Sequence, residues 1–251
     1  MKPCGFSYGH YREALEAALA RGYAFAAFDE APGRGACVLL RHDVDFSVER
    51  ALPLARIEAE LGLVSTFFVL PHGRENLFGA PALPLLREIL GLGHRLGLHY
   101  DLAFYAASGL PPSQGLRREA AQLEAALGAP VRVAAEHNPG RAPGPPGFEP
   151  GPLLDAYAPA FTRDMKYLSD SCQHWREGCF CRFLDPERCP RVQVLVHPIW
   201  WSQEGRTADA ALRAHTEGRI AAAREDERRI REHYASLAHL PNREQFLPGK
   251  T

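Results

Sequence analysis

Long apolar runs and an excess of either charge are both missing from this 251-residue chain. No stretch approaches 18 consecutive apolar residues, so the sequence predicts no transmembrane helix. The 29 basic and 30 acidic residues give a formal net charge of −1, whereas a nucleic-acid-binding protein ordinarily shows a clustered basic excess. The first residues lack the apolar segment of a secretory signal, which makes the cytoplasm the expected compartment.

Strand patterns and helix patterns alternate along the chain. Strands are predicted to end near residues 45, 70, 99, 135, 168 and 196, with helices near 7–21, after Ser47, near 82–91 and after Ser113. This alternation is typical of parallel βαβ units, and we expect a single domain over residues 1–251. After Gly205 the chain is rich in Ala, Arg and Glu to about Leu240. That segment predicts a long helix with a solvated face, and a partner-binding role stays open.

Two aspartates mark the end of the first long strand. Ala36 to Leu40 is an apolar run, and Arg41-His42-Asp43-Val44-Asp45 follows it. Because side chains alternate along a strand, Asp43 and Asp45 should point the same way. Converging carboxylates repel each other unless a cation or a shared proton relieves them. A divalent metal on one carboxylate would leave the other as a base, and two solvated acids at an exposed strand end are the alternative.

Four further polar side chains stand at or near the ends of other predicted strands. They are His99, His137, Asp170 and His197. The carboxyl ends of parallel strands meet at one edge, where α/β proteins bind their ligands. We therefore expect these residues and the two aspartates to lie together there. The Pro- and Gly-rich residues 138–152 leave the same edge, and we expect an ordered active-site loop rather than a linker.

Four of the six cysteines are concentrated in one segment. Cys172, Cys179, Cys181 and Cys189 lie within eighteen residues, together with His174. Their spacing differs from the paired C-x2-C pattern of structural zinc sites. A second metal site and a disulfide both stay open, but we expect reduced thiols that are dispensable for activity.

Over residues 36–201 these segments resemble the polysaccharide deacetylase family, also called carbohydrate esterase family 4. The resemblance implies an α/β fold, an irregular (β/α) barrel of about seven parallel strands with a long C-terminal helix. It also implies that Asp43 is the general base and that Asp45 is a metal ligand.

The second family motif usually supplies two histidine ligands four residues apart. In Gly97-Leu98-His99-Tyr100-Asp101 the resemblance makes His99 a metal ligand, but Ala103 occupies the second position. His137 stands where the third motif usually has an arginine before a proline. We expect His137 to replace the missing ligand. The alternatives are that it orients Asp43 or that the site has lost its metal.

Two later segments complete the resemblance. Tyr167 to Trp175 is similar to the family's Asp-and-Trp motif, which implies that Asp170 orients the catalytic acid. Leu195 to Trp201 resembles its Leu-x-His motif, which makes His197 that acid. We further expect Tyr100, Trp200 and Trp201 to bind the substrate, because aromatic faces suit sugar rings.

The resemblance implies a metal-dependent hydrolase that removes an acetyl group from an N-acetylated sugar, in the biosynthesis of cell-surface polysaccharide. Zinc is the expected ion, with cobalt, nickel and manganese left open. The expected partner is an acetylated sugar or glycan precursor, and the oligomeric state is not determined. Two alternatives stay open: another amide or ring hydrolase on the same scaffold, and a glycan-binding or regulatory domain without turnover.

Overall fold

Parallel strands and helices alternate in the protein, whose computed structural model describes residues 4–30, 35–139 and 150–237. The chain divides into two compact units, Met1–Thr207 and Ala208–Thr251. The strands are β1 (Ala24–Ala26), β2 (Cys37–Val44), β3 (Thr66–Val69), β4 (Arg95–Tyr100), β5 (Val133–Glu136), β6 (Leu154–Asp155), β7 (Lys166–Ser169) and β8 (Arg191–Val196). The helices of the first unit are α1 (Tyr8–Ala20), α2 (Val48–Glu60), α3 (Ala82–Gly91), α4 (Leu102–Ala107), α5 (Pro112–Leu127) and α6 (Pro159–Thr162).

The strands of the first unit form one parallel sheet that curls into an irregular, open barrel. Its order is β6-β5-β4-β3-β2-β8-β7, and β1 pairs with the start of β2. Near the two edge strands, the rings of Tyr157 and Tyr167 lie 6.3 Å apart. The predicted α/β barrel of about seven parallel strands is thereby confirmed. The short strands β1 and β6 escaped prediction because two or three residues show no periodicity.

The strand β2 separates the barrel interior from the helix layer. Cys37 and Leu39 pack inside with Phe68, while Val44 packs with the helices. All eight residues of β2 are buried. Because side chains alternate along a strand, Arg41 and Asp43 continue the interior face and His42 points to the helices.

Under the helix layer lies a buried polar cluster around Glu58. Tyr11 donates to Glu58 at 2.6 Å, and His42 Nε2 lies 2.8 Å from the same carboxylate. Burial raises the pKa of Glu58, but His42 and His94 outweigh it and lower that pKa overall. His42 and His94 therefore contribute to the packing of α2 on the sheet, away from the strand ends.

Two helix starts differ in how well the sequence predicted them. Ser47 occupies the N-cap of α2 as expected, but its side chain makes no capping hydrogen bond. Ser113 is not an N-cap: α5 begins at Pro112, and Pro111 holds the cap position. Proline suits the first helical turn because its fixed φ is helical and its missing N–H would have no partner there.

The second unit contains the helix α7 (Ala208–Ser236). Its surface carries ion pairs one turn apart, such as Arg228–Glu232 at 2.6 Å and Arg229–Glu225 at 3.0 Å. This agrees with the predicted long helix and its charged face. None of the helices in the described ranges is both long and apolar enough to cross a membrane.

Gly97 provides a test of the packing that supports β4. A Cβ atom there would lie 2.7 Å from the ring of Phe68 and 3.1 Å from Val133 Cγ1. Gly97→Ala should therefore destabilise the protein by ~1–3 kcal/mol through overpacking. Gly91→Ala is the matched control, since nothing lies within 4 Å of a Cβ at that position. Urea unfolding measures both variants, and equal midpoints would contradict the packing described here.

Candidate active site

Asp43 is held inside the barrel by Arg41 from the same strand. Arg41 Nε donates to Asp43 Oδ1 at 2.7 Å, and its second terminal nitrogen donates to Oδ2 at 2.8 Å. The guanidinium also donates to the Tyr157 hydroxyl at 3.1 Å and lies 5.0 Å from the ring centre of Phe68. Because Arg41 and Asp43 are two residues apart on a strand, their side chains lie on the same face of the sheet, which permits this bidentate contact.

The pair determines the charge state of Asp43. Burial raises its pKa, but the positive charges of Arg41 and His99 outweigh burial and lower the pKa to about 2. Asp43 is therefore ionised throughout the neutral range, although its side chain is only 3% exposed.

Asp45, His99 and His137 come together beside Asp43, from the ends of β2, β4 and β5. One potential ligand atom from each residue lies within 4.8 Å of the other two. His99 Nε2 is 3.2 Å from Asp45 Oδ1 and 3.5 Å from Asp43 Oδ2. The three residues that the sequence singled out as metal ligands thus share one side of the strand ends.

Hydrogen bonds orient both histidines. His99 Nδ1 lies 2.9 Å from the Ala135 carbonyl oxygen, so Nδ1 carries a hydrogen and Nε2 faces the two aspartates. His137 Nδ1 lies 3.0 Å from Asp101 Oδ2, and its Nε2 lies 3.0 Å from the side-chain nitrogen Nδ2 of Asn138. Metal-binding histidines ordinarily donate their second N–H in this way.

The donor set fits a divalent cation. Among the described residues, Asp45 Oδ1 is buried without an assigned hydrogen-bond partner, and it lies 3.2 Å from His99 Nε2. Burial lowers the pKa of His99, but Asp43 and Asp45 outweigh it and raise the pKa. A proton or a cation must therefore offset the local negative charge, and one carboxylate with two imidazoles is a common zinc ligand set.

His197 is held by the fully buried Asp170. Asp170 Oδ1 accepts from His197 twice, from the backbone N–H at 2.8 Å and from Nδ1 at 2.6 Å. Trp201 Nε1 donates to Asp170 Oδ2 at 2.8 Å. Burial lowers the pKa of His197, but Asp170, Asp43 and Asp45 together raise it to about 9. His197 is therefore a cation at neutral pH, and its Nε2 lies 3.9 Å from Asp45 Oδ2.

The aromatic residues expected to bind substrate are differently placed. Trp201 has no exposed surface, so it supports Asp170 rather than presenting a face to a sugar. Tyr100 packs in the core between sheet and helices, because it follows His99 on the strand and points to the opposite face. Trp200 is 8% exposed, which leaves little surface for a ligand. Tyr100 and Trp201 therefore do not present a ring face to a ligand, whereas the binding role expected of Trp200 stays a prediction.

A cleft with a volume of about 780 Å³ provides other aromatic surfaces. Tyr157, Tyr167 and Trp175 line it, together with polar groups such as Asn138 and Arg176. Tyr157, which lines the cleft, also accepts a hydrogen bond from Arg41. Most of the predicted active-site loop, residues 140–149, lies outside the described residues.

Arg41 and Asp101 are site residues that the sequence reasoning missed. Arg41 could have been found, because a basic residue two positions before Asp43 shares its face. Asp101 follows β4 and contacts His137, which follows the neighbouring strand β5. Asp101 also caps α4 by accepting a hydrogen bond from the backbone N–H of Ala103 at 2.8 Å. No spacing rule predicts a contact between residues 36 positions apart. His72 also lies near a strand end, where its Nδ1 is 2.7 Å from Glu119 Oε1.

No protein-family model and no curated protein sequence matches this chain. Among solved structures, a mutant of a carbohydrate esterase family 4 pseudoenzyme with restored enzymatic activity is 16% identical, with a TM-score of 0.39, over 72% of this chain and 62% of that one. A family 4 carbohydrate esterase from Bacillus anthracis is 14% identical, with a TM-score of 0.38, over 84% and 86%. A family 4 acetyl xylan esterase from Clostridium thermocellum, in complex with a cobalt ion, is 14% identical, with a TM-score of 0.35, over 64% and 73%.

The family named in these three descriptions is the one that the sequence motifs resemble. The chain spans 62% of the length of the first structure. All three TM-scores are below 0.5.

The pairing of Asp170 with His197 can be tested by titration. In metal-free protein the pKa of His197 should be about 9, and Asp170→Asn should move it down toward the ordinary ~6.5 because a negative charge is removed. The stability that this pair contributes should be complete below ~6.5 and lost as the pH rises through the folded-state pKa. Imidazole NMR signals and urea unfolding measure the two effects. Asp101→Asn is the control, and an unshifted His197 in Asp170→Asn would contradict the pairing.

Proposed function

We propose that this chain is a metal-dependent hydrolase that removes an acetyl group from an N-acetylated sugar. The supporting observation is the grouping of Asp45, His99 and His137 beside an ionised Asp43 and a cationic His197. A base and an acid whose surroundings push their pKa values in opposite directions are characteristic of hydrolytic sites.

A divalent cation, with zinc as the expected ion, would be held by Asp45, His99 and His137. Three protein ligands leave a coordination position open, as catalytic zinc sites require. Such an ion lowers the pKa of a water in contact with it and polarises a carbonyl oxygen. His137 takes the place of the second motif histidine, with Asp101 orienting its ring.

Asp43 is the proposed base. Arg41 keeps it ionised and holds both carboxylate oxygens in position. With a pKa of about 2, Asp43 accepts protons only weakly, so it requires a water that is more acidic than bulk water. The proposed activity therefore depends on an intact ligand set beside Asp43.

His197 is the proposed acid. Cleavage of an amide expels a nitrogen that must be protonated as it leaves, so a positioned proton donor is needed. Asp170 keeps His197 protonated and fixes Nδ1, which leaves the Nε2–H directed toward the site. This requirement is stronger for an amide than for an ester, and it favours N-acetyl over O-acetyl substrates.

The cleft supports a sugar as the substrate. Tyr157, Tyr167 and Trp175 offer partly exposed ring surfaces, and polar groups lie between them. Sugars bind to this combination, because their C–H faces pack on aromatic rings while their hydroxyls hydrogen-bond. A glycan precursor of cell-surface polysaccharide fits this proposal and the expected cytoplasmic location.

The two aspartates should respond differently to the same substitution. Asp43→Asn should retain the metal and lose ~10²–10⁴-fold in turnover, the usual contribution of a general base. Asp45→Asn should weaken metal binding, because an amide is a poorer ligand, and excess metal should restore part of its activity. Acetate release from N-acetylated sugars and metal content measure the two effects. Exchanged outcomes would mean that the roles of the two residues must be swapped.

The ligand set can be tested apart from turnover. Wild-type protein should hold one equivalent of metal more than Asp45→Asn or His137→Ala, and zinc-soaked crystals should show ~2.0–2.1 Å Zn–N distances. Chelation should abolish acetate release, and added zinc should restore it. An anomalous peak at Asp45 and His99 with His137 turned away from the ion would refute the assignment of His137. Metal and sugar binding without acetate release from any substrate would favour the non-catalytic glycan-binding alternative.

A further inference from the structure

Three cysteines and a histidine from distant parts of the chain meet near the start of α1. Cys4 precedes that helix and His10 lies in its first turns, while Cys179 and Cys181 flank Phe180 in the connection between β7 and β8. His10 Nε2 lies 3.1 Å from Cys179 Sγ, and Cys4 Sγ lies 3.6 Å from Cys181 Sγ. All four ligand atoms lie within 4.8 Å of one another.

We propose that Cys4, His10, Cys179 and Cys181 form a structural zinc site. A Cys₃His set is a standard donor combination for structural zinc. Ligand atoms at ~2.0–2.3 Å from a tetrahedral zinc ion lie about 3.5–3.8 Å apart. The two separations of 3.1 and 3.6 Å require only small adjustments to reach that range. Four protein ligands leave no open position, so the ion would stabilise structure rather than take part in catalysis.

A disulfide accounts less well for this cluster. None of the six cysteines is paired in a disulfide, and the 3.6 Å between Cys4 Sγ and Cys181 Sγ is well beyond the ~2.05 Å of a disulfide bond. A bond between those two sulfurs would also leave Cys179 and His10 in contact without a function. One zinc ion instead uses every donor in the group. This proposal replaces the expectation that Cys179 and Cys181 are dispensable thiols.

The zinc ion would stabilise an aromatic cluster next to the site. Phe180 lies between two of the ligands, with its ring centre 6.2 Å from Tyr11 and 6.4 Å from Trp201. Phe6, two residues after Cys4, lies 5.2 Å from Trp201. Trp201 in turn donates to Asp170. The zinc site would therefore connect the N-terminal segment to Trp201, the residue that donates to Asp170. This structural role does not depend on the proposed hydrolase activity.

Cobalt substitution tests the site without an activity assay. Protein depleted of metal and loaded with cobalt should show a thiolate-to-cobalt charge-transfer band and the intense visible bands of tetrahedral coordination. The Asp45, His99 and His137 group contains no sulfur and cannot produce the charge-transfer band. Asp45→Asn should therefore keep it. Wild-type protein that shows the band but releases no acetate would count against the proposed function alone.

Matched cysteine variants locate the ligands. Cys4→Ser with Cys181→Ser should lose about one equivalent of zinc, lose the charge-transfer band and melt at a lower temperature. Cys172→Ser with Cys189→Ser is the control, because it also removes two thiols outside the buried core, and it should keep all three properties. Wild-type protein gives a further readout that needs no variant: three of its six thiols should react with a thiol reagent only after zinc is chelated.

Three results would overturn the proposal. The first is wild-type protein that shows no charge-transfer band with cobalt. The second is a Cys4–Cys181 disulfide, seen as a mass two hydrogens lower and two fewer reactive thiols. The third is a band that survives the Cys4 and Cys181 double substitution. If that double variant fails to fold, Cys181→His replaces it, and zinc retention with a weaker charge-transfer band is then the expected result.

Discussion

The ion pair between Arg41 and Asp43 is the interaction on which the rest of the candidate site depends. Both side chains are buried inside the barrel, with 0% and 3% exposed, so neither charge is stabilised by bulk water. Removing one partner of a buried pair typically costs ~3–5 kcal/mol, because the other charge is left uncompensated. The pair keeps Asp43 negative at the strand ends, and that charge raises the pKa of both His99 and His197.

The three histidines of the site share one feature: each is oriented by a partner from another part of the chain. Asp170 holds His197, Asp101 holds His137 and the Ala135 carbonyl holds His99. These contacts fix the orientation of each imidazole ring. The arrangement thereby brings the proposed acid, the proposed base and the proposed metal ligands within a few ångströms of one another.

The prediction from sequence succeeded where local geometry decides the outcome. Alternation along β2 placed Asp43 and Asp45 together, and parallel topology brought His99, His137 and His197 to the same strand ends. It failed where neighbours in sequence face opposite ways. Tyr100 was expected beside His99 in the site, but it packs on the helix side of the sheet. Trp201 was expected to face a sugar, but it supports Asp170 from behind.

The sequence by itself determined the order of strands and helices and the polar residues at the strand ends, because periodicity and covalent geometry act over a few residues. Only the tertiary structure decided which distant residues meet. Cys4 and Cys181 are 177 residues apart, and His10 and Cys179 are 169 apart. Such contacts depend on the path of the whole chain around the barrel, so residue spacing, the usual sign of a zinc site, carried no information about them.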